Sequence, residues 1–356
     1  MFESIPHSKT PFVVAGPCSA ESYDQLSSVA HSLAIEPKVS LIRCGVWKPR
    51  TRPGGFEGAG EEALRWIADI RSHPDSNIPR TLPFAVEVAQ PHHVDLALRY
   101  GVDVLWIGAR TSGNPFSMAE LCHALSGTNV PVMVKNPLVP DVKLWMGAFE
   151  RLAQVGITDV AAVHRGFATH NASDLRNDPR WEVPIELRRS LPNLPLLCDP
   201  SHLGGRRDMV QSLSQRALNL DFDGLMIECH PSPASALTDA EQQITPSELS
   251  RILADLLLPS HADHASSALR HCREQIATID DELISLLAAR LSLSEQIADI
   301  KRADNISIYQ PRQWDIKLQQ CLDKAAQLNV DQQFIREIYE RIHLHSIRVQ
   351  EDRNNK

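Results

Sequence analysis

GLMIECHP, residues 224–231, starts as a short apolar run and ends in a carboxylate, a thiol and an imidazole. A run that brief and that apolar reads as a strand buried on both faces, as in a parallel sheet covered by helices. Working outward, seven more runs share the pattern: residues 12–15, 39–43, 84–88, 104–108, 130–135, 159–164 and 194–198, with helix-like stretches between them. Eight strands in about 250 residues predict an α/β fold, a (β/α)8 TIM barrel, in preference to an open doubly wound sheet with fewer strands. Neither GxGxxG nor a Walker A loop occurs, which removes two common phosphate cradles.

The ends of the runs carry the chemistry. Cys18, Arg43, Glu87, Arg110, Lys135, His164 with Arg165, Asp199 with His202, and Glu228 with His230 follow the apolar segments in turn. In a barrel all of them open onto the C-terminal face, where βα loops build active sites. Cys18, His202, Glu228 and Asp239 offer a thiolate, an imidazole and two carboxylates, a set suited to manganese, iron, cobalt or zinc rather than to a magnesium or calcium cage. Arg43, Lys48, Arg50, Arg110, Lys135, Arg165 and Arg206 add cations in a chain whose formal net charge is -8. Cations facing one mouth repel unless anions neutralise them, which implies a substrate bearing phosphate and carboxylate groups.

Beyond residue 258 the texture changes. Residues 259–267 read as a linker between a barrel domain, 1–258, and a small all-α domain, 268–356. Residues 268–303 contain neither Gly nor Pro, and Leu269, Cys272, Ile276, Ile279, Leu283, Leu286, Leu293, Ile297 and Ile300 recur at spacings of three and four. That is a seam for a partner helix, and Arg290 interrupts it. A guanidinium there needs a partner, and a bound anion supplies one. Arg273 and Lys301 flank the seam. Two further helices are predicted over 311–328 and 331–352, the second placing Ser346 and Gln350 on one face.

The remaining composition restricts the classes. With 43% apolar and 22% charged residues the chain is ordinary globular protein,. No apolar run is long enough for a membrane span, and the first residues lack a basic region followed by an apolar one, so a cytoplasmic location without membrane contact is expected. The negative net charge argues against a nucleic-acid partner. Seven cysteines without CxxC spacing read as reduced thiols.

Six motifs carry a family resemblance: GPCSAE at 16–21, KPRT at 48–51, IGAR at 107–110, HRG at 164–166, DPSHLGGRR at 199–207 and IECHP at 227–231. Together they resemble the type I beta 3-deoxy-D-arabino-heptulosonate phosphate (DAHP) synthases over residues 12 to about 248. The resemblance implies Cys18, His202, Glu228 and Asp239 as metal ligands, with manganese foremost. Phosphoenolpyruvate would be held by Arg43, Lys48, Lys135, Arg110 and Arg165, and erythrose 4-phosphate by Lys48, Pro49, Arg50 and Thr51. It implies an aldol-like condensation in which the enol carbon attacks a metal-polarised aldehyde, water adds at C2 and phosphate leaves, with Lys48 as proton donor. Many relatives have Glu where His164 stands. The octulosonate phosphate synthases, which use a pentose phosphate, are the second reading of the barrel. A family type with an extra N-terminal domain is set aside, because about a dozen residues precede the first strand.

Residues 269–350 resemble the all-helical chorismate mutases at Arg273, Arg290, Lys301, Ser346 and Gln350. That resemblance implies a dicarboxylate held in a compact pericyclic geometry, with Arg290, Lys301 and Gln350 catalytic and Arg273 serving a partner's site in a homodimer. Gln310 and Trp314 stand where many relatives have Asp and Glu near the substrate hydroxyl. The whole then implies a bifunctional shikimate-route enzyme with feedback by prephenate or chorismate. The alternative is a synthase with a non-catalytic regulatory or dimerisation domain.

Overall fold

The computed structural model describes residues 1–5, 10–48, 54–72, 82–168, 174–258 and 267–354. The chain forms two compact units, Met1–Ser260 and His261–Lys356. In the first, β1 (Phe12–Gly16), β2 (Val39–Cys44), β3 (Phe84–Val88), β4 (Val104–Ile107), β5 (Val132–Lys135), β6 (Val160–His164), β7 (Leu196–Cys198) and β8 (Gly224–Glu228) pair in sequence order. All the pairs are parallel, and β8 closes on β1 with Phe12 opposite Gly224 and Gly16 opposite Glu228. Every expected strand is present, with ends within two residues of the apolar runs.

Alternation along the strands positions the site. Val14, Leu41, Ala85, Trp106, Met133, Val163, Leu197 and Met226 fill the barrel interior, whereas their sequence neighbours pack outward against helices. Successive strand residues point to opposite sides. The next inward positions toward the C-terminal face are therefore Arg43, Glu87, Gly108, Lys135, Arg165, Asp199 and Glu228. The opposite end is closed by Phe2 and Ile5, packed with the interior residues. Phe2 N donates to Asp159 Oδ1 at 2.7 Å, and the Met1 amino group pairs with the same carboxylate.

The second unit holds three helices, Ser267–Ala303, Pro311–Gln327 and Gln332–Asn354, close to the predicted spans. Residues 259–266 of the expected linker lie outside the described residues, and Ser267 already belongs to the long helix. The last helix packs against both others, burying Ser294, Ala298, Leu318, Leu322, Ser346 and Gln350. Residues 269–289 of the long helix are exposed throughout, with Leu283 52% and Leu286 67% accessible. The apolar seam is therefore bare in the single chain. No helix among the described residues is long and apolar enough to cross a membrane, and all seven cysteines are free.

Candidate active sites

A cavity of about 210 Å³ opens at the C-terminal face of the barrel. Its wall carries Lys48, Arg110, Lys135, Arg165 and Arg176 against two carboxylates, Glu87 and Asp239. Five cations to two anions make a pocket for a multiply charged anion. Local backbone devices aim these groups. Asp199 caps the short turn Pro200–Gly204 by accepting from His202 N at 3.0 Å, which folds the imidazole back so that Nδ1 lies 2.8 Å from Asp199 Oδ2. Asn136 Oδ1 accepts from Arg165 N at 2.7 Å. Gly166, at φ +79°, then turns the chain where a Cβ would lie 2.7 Å from both Asn177 Cβ and Leu203 Cδ2, so only glycine fits. A Cβ on Gly108 would fall 2.1 Å from Glu87 Oε1.

Several cations are held from below. Lys135 Nζ donates to Asp199 Oδ2 at 2.8 Å. Arg43 is placed beneath the cavity rather than on its wall. It is 1% exposed, its Nη2 lies 3.0 Å from Glu228 Oε1, and its guanidinium sits 5.1 Å over the Trp106 ring. Burial alone would raise the Asp199 carboxyl, but His202 and Lys135 overcome it and hold the group well below the usual carboxylate range. Burial lowers Arg165 to about 10, which leaves it charged. Arg206 pairs with Asp208 at 2.5 Å and stands outside this cavity. Pro49, Arg50 and Thr51 lie outside the described residues.

One ligand atom each from Cys18, Glu228 and Asp239 falls within 4.8 Å of the others. His202 stands just outside that cluster, its Nε2 3.8 Å from Glu228 Oε1. Burial lowers the His202 proton affinity against the opposing pull of Asp199, the direction that favours the unprotonated nitrogen a metal ligand needs. Glu228 Oε1 is buried and accepts no aligned hydrogen bond among the described residues. Burial pushes the Cys18 thiol up to about 12, with Glu228 and Asp239 adding to the shift, although Lys48 Nζ donates to its sulfur at 2.8 Å. A carboxylate oxygen that keeps lone pairs free beside its ion pair with Arg43, next to a buried thiol and a second carboxylate, fits a first-row divalent ion,.

In the helical unit, Arg290 Nη1 donates to Ser346 Oγ at 2.5 Å, and Lys301 Nζ donates to Ile308 O at 2.6 Å. Gln350 is 7% exposed and donates Nε2 to Ser346 O at 3.2 Å. Arg290, Ser346 and Gln350 thus come together, with Lys301 three turns along the same helix. Arg273 does not join them. It is exposed and lies 17 residues before Arg290, about 26 Å at 1.5 Å per residue.

Residues 5–257 match the DAHP synthetase I family model. The chain belongs to that family. Residues 272–351 match the model of chorismate mutase type II, so this DAHP synthetase I chain carries a chorismate mutase domain in its helical unit. A phospho-2-dehydro-3-deoxyheptonate aldolase of Thermotoga maritima is 32% identical over 232 residues, 65% of this chain but only 64% of that relative. A 2-dehydro-3-deoxyphosphooctonate aldolase of Aromatoleum aromaticum is 26% identical over 266 residues, 69% of this chain and 89% of that one. The crystal structure of the Thermotoga maritima DAHP synthase superposes with a TM-score of 0.60 at 27% identity, covering 70% of this chain and 68% of that chain.

Within this DAHP synthetase I barrel, His164 departs from the expectation that it stands at the mouth. Its ring faces outward, among Trp145, Phe167, Trp181 and Phe222. Burial pushes its pKa down to about 3. Strand parity decides this, because Ala161, Val163 and Arg165 take the inward side and leave His164 the other. Glu87 and Arg176 line the cavity instead. Glu87 was legible as a strand end, but Arg176, which donates to Asp239 Oδ1 at 3.1 Å, comes from a loop without period or motif.

His164 also sets an acid limit on stability. The unfolded chain binds a proton below about pH 6.5 that the folded chain refuses down to about pH 3, so stability is lost as pH falls through that window. At pH 5 the loss is about 2 kcal/mol. His164→Phe is expected to narrow the gap between the barrel's unfolding free energies at pH 7 and pH 5 by that amount; parallel pH dependences for variant and wild type would refute the assignment.

Proposed function

We propose that the barrel condenses phosphoenolpyruvate with erythrose 4-phosphate to DAHP, and that the helical unit rearranges chorismate to prephenate. The observation that carries the first reading is a cationic cavity set beside a thiol, an imidazole and two carboxylates. Arg110, Lys135 and Arg165 bind the phosphate and carboxylate of phosphoenolpyruvate, with Arg43 stabilising the carboxylates beneath them. Lys48 reaches the centre where the new hydroxyl forms and gives it a proton. Glu87, on the same wall, takes the proton of the water that adds at C2, a task His164 cannot perform from its outward pocket. Cys18, His202, Glu228 and Asp239 would hold a divalent ion, manganese foremost and iron, cobalt or zinc otherwise, which would supply Lewis acidity for the aldehyde. Lys48 to Thr51, the KPRT motif, supports the tetrose over a pentose phosphate, as does the higher identity to the heptonate relative.

For the second activity, Arg290 and Lys301 hold the carboxylates and ether oxygen of chorismate, and Ser346 and Gln350 complete the cradle, so catalysis is preorganisation and electrostatics. The bare seam of residues 269–289 supports a homodimer in which Arg273 serves the partner's site. Prephenate or chorismate at Arg290 restrains the barrel, and the whole acts in the cytoplasm. The test is phosphate release from phosphoenolpyruvate with erythrose 4-phosphate, together with chorismate consumption by the same protein. Release that a chelator abolishes, with chorismate consumed, is expected. Release with arabinose 5-phosphate alone would move the barrel to the octulosonate reaction, and an idle chorismate assay would leave the helices a regulatory module. A synthase rate unmoved by saturating prephenate would end the feedback reading.

A further inference from the structure

Two aromatic residues beside Arg290 and Lys301 have no part in the assignment above. Trp314 lies on the second helix of the unit and His343 on the last. Their rings stack almost parallel, with centroids 4.0 Å apart and planes 10° from each other, and Tyr309 approaches the same imidazole at 6.0 Å. His343 precedes Ser346 by three residues and Gln350 by seven, so the three share one face of the helix. Its Nε2 is buried and has no hydrogen-bond partner among the described residues, and Gln350 Oε1 is in the same condition. Protein interiors seldom leave such atoms bare, and two on one helix face beside two cations mark a surface shaped for a polar ligand.

We infer that His343 is a specificity residue of the helical site: its Nε2 accepts a hydrogen bond from the ring hydroxyl of the cyclic dicarboxylate, while Trp314 holds the imidazole plane. The inference rests on reading the helical unit as a mutase and adds the group that recognises the hydroxyl. Burial, then Arg290 and Lys301, lower the proton affinity of His343, so the ring keeps a lone pair free to accept. The sequence puts Gln310 and Trp314 where many chorismate mutases place acids near that hydroxyl. A neutral acceptor from the opposite helix replaces them, and the stack makes its orientation independent of the ligand.

The experiment compares chorismate with its analogue lacking the ring hydroxyl, using the full chain and the variants His343→Phe, His343→Gln and Arg290→Ala. His343→Phe keeps a flat ring against Trp314 and removes only the acceptor. It is expected to lower kcat/KM for chorismate about 10–100-fold and to collapse the preference for chorismate over the analogue to within a few fold. His343→Gln, which restores an acceptor, is expected to recover part of that preference. Because the preference is a ratio, it reads correctly even where a variant yields less folded protein. An unchanged preference in His343→Phe, with Arg290→Ala inactive, overturns the inference and leaves the mutase reading intact. A wild-type chain that does not consume chorismate overturns the mutase reading itself.

Discussion

Cys18→Ala is expected to release the divalent metal and to cut DAHP synthase turnover at least about 10³-fold, while leaving mutase activity in place. Cys18 is fully buried and is the soft donor in the cluster with Glu228 and Asp239. Without it the two carboxylates keep their charge and His202 its lone pair, but the thiolate that favours transition metals over magnesium is gone. The change deletes one sulfur atom, so the fold should survive. Cys44 is the matched control: equally buried, it faces the helices, and Cys44→Ala should alter neither metal content nor rate. Metal analysis of purified protein, run beside phosphate release, checks both variants. Stoichiometric metal with normal turnover in Cys18→Ala would reject the ligand set.

Arg290→Ala should have the mirror effect, a mutase loss on the order of 10³-fold with the basal synthase rate retained. Among the described residues no carboxylate pairs with Arg290, and the side chain that meets its guanidinium is the neutral hydroxyl of Ser346. The guanidinium is thus free to spend its charge on a carboxylate of the ligand, and neither Ser346 nor Gln350 can replace a full positive charge. Lys301 remains in the variant, but one ammonium, with one of its donors given to Ile308 O, cannot also take the place of the guanidinium. Chorismate consumption and phosphate release, measured on one preparation, separate the two effects. Equal losses in both assays would mean that the substitution unfolds the chain instead of emptying one site.

The eight strands were legible because a parallel barrel buries both faces of every strand, which leaves short unbroken apolar runs between polar helices. Which strand-end residues enter the mouth was legible only through parity. HRG at residues 164–166 offers two candidates, yet alternation sends Arg165 inward and His164 into an aromatic layer. Arg43 illustrates a different limit. Its inward direction follows from the strand, but its pairing with Glu228, on the far side of β1, depends on closure, which no local pattern encodes. Arg176 escaped notice because it sits on a loop, where no period applies. In the helices, Arg290 was visible as a charge within an apolar stripe, whereas the Trp314–His343 stack joins residues 29 positions apart and required the packed unit.

Gly108 and Glu87 occupy space that only one of them can fill, since the methyl group missing from the first lies where the carboxylate oxygen of the second sits. A side chain added at 108 therefore displaces the Glu87 carboxylate from its present place on the cavity wall. Across descendants of a common ancestor, a bulkier residue at 108 should coincide with a shortened or reoriented side chain at 87.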